Sequence, residues 1–141
     1  MPANTQPIFS AQGSLQWAAT ALTAANIAKD GTGTVTTIAT GNASGNAAGN
    51  FIQKLVCQTL GTNIATVLRV FVNNGGVNTT AANNVLLGQV TLPATALTET
   101  AGQAAIEIPL MVALPPSYKI NCTLGTAVAA GWQVTAVGGQ Y

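Results

Sequence analysis

Histidine is absent and charge is scarce. The 141 residues hold four Lys and Arg and three Asp and Glu, which together make 5% of the chain. A typical soluble domain carries about 25%. Without histidine, the Ser-His and Cys-His nucleophile schemes have no base. A carboxylate pair would have to come from Asp30, Glu99 and Glu107. Asp30 reads as a turn residue, Glu99 as a loop residue and Glu107 as the exposed face of a strand, so a shared concave site is not expected. The chain is therefore not expected to be an enzyme, and no cofactor is expected.

The two cysteines, Cys57 and Cys122, lie far apart with no partner at metal-ligand spacing, which argues against a metal site. Both fall on inward-facing strand positions; buried free thiols are expected, and a disulfide between them is the alternative if the two strands lie opposite each other. Four scattered basic residues, Lys29, Lys54, Arg69 and Lys119, make no nucleic-acid footprint. No apolar run approaches the ~20 residues of a membrane helix. Residues 1–7 lack the charged and apolar regions of a signal peptide, so cytoplasmic synthesis without an export signal is expected. With a net charge of +1, copies repel one another weakly. An uncharged polar surface of Thr, Asn, Gln and Ser suits a protein packed against neighbours.

What the chain does have is β-favourable sequence. Residues 64–76 are the longest such run. Thr66, Val67, Val70 and Val72 are β-branched, Phe71 is aromatic, and Asn73-Asn74-Gly75-Gly76 closes the run with residues that tolerate positive φ. Alternation puts Ile64, Leu68, Val70 and Val72 on one face and Val67, Arg69 and Phe71 on the other. Two partly apolar faces indicate a central strand.

Around it, strands are expected at 14–19 (Leu15 and Trp17 inward), 34–40, 51–60 (Leu55 and Cys57 inward, Lys54 and Gln58 wetter) and 85–92 (Leu86, Val90 and Leu92 on one face). Three more follow: 104–112, 118–124 (Tyr118, Ile120, Cys122 and Leu124 inward) and 130–137 (Trp132 and Val134 inward). Pro109 removes a ladder donor, so its strand should be an edge or carry a bulge. Residues 20–28 are Ala-rich and compatible with a short helical turn. Residues 41–50 repeat Gly and Asn too densely for a regular element.

About eight short strands, each apolar on one face, predict a single all-β domain at 14–141: an antiparallel sandwich, jelly-roll or Greek-key-like. Residues 1–13 read as an extended arm. Its Ile8 and Phe9, which follow Pro2 and Pro7, are candidate anchors on another subunit. Among the aromatics, Trp17, Trp132 and Tyr118 are expected in the core, and Tyr141 is the one left to pack against a neighbour. Gly31-Thr-Gly33 precedes a strand rather than opening a helix, so it is not read as a phosphate loop. Three Asn-X-Ser/Thr matches, at Asn42, Asn78 and Asn121, are attributed to chance in an Asn-rich chain.

A set of segments carries a family resemblance. They are Lys29-Asp-Gly-Thr-Gly-Thr34, Leu60-Gly-Thr-Asn-Ile-Ala-Thr-Val-Leu-Arg-Val-Phe-Val-Asn-Asn-Gly75, Leu114-Pro-Pro-Ser-Tyr-Lys-Ile120, and the stretch from Leu124-Gly-Thr-Ala through Val137-Gly-Gly-Gln-Tyr141. Together they resemble small β-sandwich virion proteins of tailed bacteriophages. The resemblance covers roughly residues 29 to 141 and transfers no catalytic residues. It implies a virion structural protein, and specifically a capsid decoration or cement protein. The implied partner is the major capsid protein, and a homo-oligomer is expected, by analogy a trimer on a threefold position. A receptor- or glycan-binding module of a tail tip or head fibre is the alternative.

Overall fold

The computed structural model describes residues 12–42 and 48–141. Among these residues eight strands form: β1 (Gln12–Trp17), β2 (Thr36–Thr40), β3 (Asn50–Thr59), β4 (Thr66–Asn73), β5 (Asn84–Leu92), β6 (Ile106–Leu114), β7 (Lys119–Leu124) and β8 (Trp132–Gln140). They make two four-stranded sheets, ordered β1-β8-β3-β6 and β2-β7-β4-β5, with every pairing antiparallel. The first strand pairs with the last, the second with the seventh, the third with the sixth and the fourth with the fifth. This nested pairing is the jelly roll, one of the two topologies the strand spacing left open.

The core lies between the sheets. Ile52, Leu55 and Cys57 of β3 and Trp132, Val134 and Ala136 of β8 meet Leu68 and Val70 of β4 and Ile120, Cys122 and Leu124 of β7. These are the faces that alternation assigns inward, except that Ile52 joins Leu55 and Cys57 through a register shift between Ile52 and Lys54. Gly138 continues the inward face of β8, where a Cβ would overlap the Phe51 carbonyl oxygen. The close approach of β3 therefore requires glycine there. Pro109 sits on β6, an edge strand, as its missing donor demands.

β4 is an interior strand, between β7 and β5. Phe71, on its second face, is fully buried, and Asn121 and Thr123 of the neighbouring β7 are buried too. The connection between β1 and β2 closes over this side. Its Asn26 N–H donates to the Leu124 carbonyl at 2.7 Å, and Arg69 Nη1 donates to the Asn26 carbonyl at 3.3 Å. Asn78 Nδ2 donates to the Gly33 carbonyl at 2.7 Å, tying that connection to the β4–β5 loop. The expected helical turn at 20–28 does not form. Leu22 instead bridges Trp132, and Ala25 bridges Leu124, so sheet-like pairing takes the backbone groups a helix would have used.

Where β8 begins, the connecting loops are held by one buried side chain. Asn63 Nδ2 donates to Thr59 Oγ1 at 2.9 Å and to the Gly131 carbonyl at 3.0 Å. Its Oδ1 accepts the Ala130 and Gly131 N–H groups, both at 2.9 Å.

Candidate interaction surface

The ionisable side chains are dispersed. Asp30 lies in its turn, where Thr32 donates both its hydroxyl, at 2.6 Å, and its N–H, at 3.1 Å, to the carboxylate. Those bonds hold the Asp30 carboxyl below its ordinary range. Glu107 of β6 pairs with Lys54 of β3 at 2.7 Å on the outer face of the first sheet. Glu99 is exposed in the loop after β5. Among the described residues, no group of three or more His, Cys, Asp or Glu is placed to hold a metal ion.

Cys57 and Cys122 are both free and buried. They face the core from opposite sheets. Burial pushes the Cys57 thiol up to about 12. Burial, then the neighbouring Cys57, raises Cys122 further. Neither has the electropositive, accessible setting of a reactive thiol.

Of the candidate subunit contacts, Ile8 and Phe9 lie outside the described residues. Tyr141 is half-buried just beyond β8, and its N–H donates to the Gly49 carbonyl at 3.3 Å. Tyr118 packs against the core, as expected.

The main correction concerns β1. It starts at Gln12, two residues before the expected boundary, and its faces are reversed. Ser14 and Gln16 point toward the second sheet, while Leu15 and Trp17 point outward, 62% and 58% exposed. The cause is the Gln16 side chain. Its Nε2 donates to the Thr40 carbonyl at 3.1 Å, and its Oε1 accepts the Thr40 N–H at 2.9 Å. The amide thus acts as a short stretch of backbone for the edge of β2, where those groups would otherwise lack a strand partner. Once Gln16 is turned inward, period 2 forces Leu15 and Trp17 out. They border an open groove shared with Thr37, Ile38, Ala39 and Thr40 of β2.

The outward pair continues across the first sheet. Leu15 lies beside Val137, and Trp17 beside Thr135, while Val56 of β3 pairs with Thr135. A second apolar group is on β5, where Val85, Leu86 and Leu87 are exposed. A register shift beside Val70/Phe71 leaves Leu87 unpaired and sets Leu86 opposite Phe71. Leu86 is therefore on the outer face and not with Val90 and Leu92, contrary to expectation. Uninterrupted alternation does not foresee a bulge.

No family model, no curated protein and no solved structure matches this chain.

Proposed function

We propose that this chain is a structural protein of a bacteriophage virion, made in the host cytoplasm. Its role there is capsid decoration: it binds the outer surface of the major capsid lattice as a homo-oligomer and stabilises it. The observation that carries this reading is the surface. Among the described residues ten large hydrophobic side chains are exposed; the chain has only seven charged residues, and Lys54 and Glu107 among them are already paired. Such a surface associates through apolar and uncharged polar contacts. The family resemblance supplies the setting, and the jelly roll, a fold of viral capsid proteins and lectins alike, accommodates it.

The mechanism is interfacial. A ligand that binds only the intact lattice stabilises it by mass action, and many copies multiply the effect. Few ion pairs means weak screening, so attachment should depend little on salt. The test is to prepare particles without the protein and add it back over a range of ionic strength. Particles regain a higher rupture temperature to the same extent from low to high salt. Particles that rupture at one temperature with and without the protein would refute the cement role.

Trp17 favours one further reading. Its exposed indole borders a groove with Gln16, Thr37 and Thr40, an arrangement able to stack a sugar ring and hydrogen-bond its hydroxyls. A glycan-binding module of a tail tip or head fibre is the corresponding function. Glycan affinity lost in Trp17→Ala, with particles that fail to attach to cells, would select it.

A further inference from the structure

The sandwich has four sheet edges, β1, β6, β2 and β5. Exposed edges template pairing with another chain unless something blocks them. β6 carries Pro109, the charged Glu107, and a bulge in which Met111 adopts φ 54°. β2 is bulged at Ile38, and its Thr40 is occupied by Gln16 and by Asn50 Nδ2, the latter at 2.7 Å. β5 is interrupted at Leu87. β1 has none of these devices. Its register with β8 is unbroken from Gln12 to Trp17, and it holds no charge and no proline. Its backbone makes no hydrogen bond outside the β8 ladder among the described residues.

We infer that the β1 edge pairs antiparallel with the β1 edge of a second copy, joining the two β1-β8-β3-β6 sheets across a twofold axis. The second copy is the occupant for two reasons. First, an isologous contact sets each residue against its own kind of surface, which like charges forbid and an uncharged strand permits. Second, the outward face of β1 is shaped to match itself. Gly13, Leu15 and Trp17 share that face, and the position a Cβ would take at Gly13 has no atom within 4 Å. Centring the pair on Leu15 sets Leu15 against Leu15 of the second copy. Each Trp17 indole then covers the opposite Gly13, the cross-strand arrangement in which an aromatic ring shields a glycine. The contact closes as a dimer, unlike the trimer expected by analogy, and it does not depend on where in a virion the protein acts.

Sedimentation equilibrium and tryptophan emission of the full chain test this together. Trp132 is buried in the core and Trp17 is exposed in the monomer, so a concentration-dependent blue shift reports Trp17. The expected result is a monomer–dimer equilibrium whose midpoint coincides with that shift. Trp17→Lys should weaken dimerisation about 30-fold or more, as loss of a central tryptophan anchor does. Gly13→Val, which fits the monomer but obstructs the opposing indole, should weaken it as well. Unchanged thermal unfolding of both variants at monomer concentrations would show that the fold is intact. A protein that stays monomeric at high concentration, a trimer, or a dimer indifferent to both substitutions would overturn the inference. So would an emission shift driven by added glycan or capsid with no self-association.

Discussion

Asn63 lies in a loop and has a core residue's burial, at 4% exposure. Replacing it with alanine removes four hydrogen bonds, those to Thr59, Ala130 and the N–H and carbonyl of Gly131. Two of the lost partners have substitutes. Thr59 Oγ1 keeps Thr95 and the Gly61 carbonyl, and the Gly131 carbonyl still accepts from the Leu60 N–H. The N–H groups of Ala130 and Gly131 do not, and an unsatisfied buried donor costs about 1–3 kcal/mol. Two such groups, partly relieved by entering water, set the loss at about 3 kcal/mol. With a urea m-value of about 2 kcal/mol/M for a domain of this size, the unfolding midpoint should fall by about 1.5 M. Asn63→Asp keeps the two acceptor bonds but buries a charge facing the Gly131 carbonyl, so it should not rescue. Equilibrium urea unfolding followed by Trp132 fluorescence measures both variants. A loss below about 0.5 kcal/mol for Asn63→Ala would refute the assignment of loop anchoring to this side chain.

Two other perturbations test the core and an edge. Both cysteine pKa values are raised by folding, so their contribution to stability is complete below the unfolded value of about 8.5 and declines above it. Stability should therefore fall between about pH 8.5 and 12, by up to ~1.4 kcal/mol per pH unit per thiol. The double variant Cys57→Ala, Cys122→Ala should lose about 1–2 kcal/mol at neutral pH and lack the alkaline slope. Urea unfolding at pH 7.5 and 9.5 reads both effects. Met111 occupies the left-handed region on β6 with its side chain 64% exposed, so Met111→Gly should stabilise the fold by about 0.5–1 kcal/mol in the same assay. Destabilisation would show that the methionine makes contacts that outweigh its backbone cost.

The interior was largely legible in the sequence because period-2 alternation is a direct record of burial. Leu55 and Cys57, Ile106 and Ile108, and Trp132 and Val134 point where their spacing places them. The failures have identifiable causes. In β1 the apolar pair was assigned inward by default. The competing interaction, a Gln16 amide reaching the backbone of Thr40, links residues on different sheets and leaves no local trace. The bulge at Leu87 moved Leu86 to the other face. The burial of Asn121 and Thr123 comes from a distant connection closing over them. Asn63 gives no local sign of its role, because its partners at Thr59, Ala130 and Gly131 are assembled only by the fold. The interaction surface was hidden for the same reason: Leu15 and Trp17 have core-forming side chains, and only the tertiary partner of Gln16 turns them outward.

The nested strand order also bears on the order of assembly. The innermost pair, β4 with β5, closes a short connection from Asn73 to Asn84, whereas Leu15 must find Val137 near the opposite end of the chain. Closure entropy grows with the length enclosed, and non-local pairing slows folding into the millisecond-to-second range. The inner hairpin is therefore the natural place to begin, each outer pair being added around a shorter effective loop. β1 would then be the last strand to arrive and the first to detach. A peripheral strand whose backbone pairs only with β8, with a matching edge beside it on a second copy, can be exchanged between chains, turning an adhesive edge into a route to interlocked assemblies.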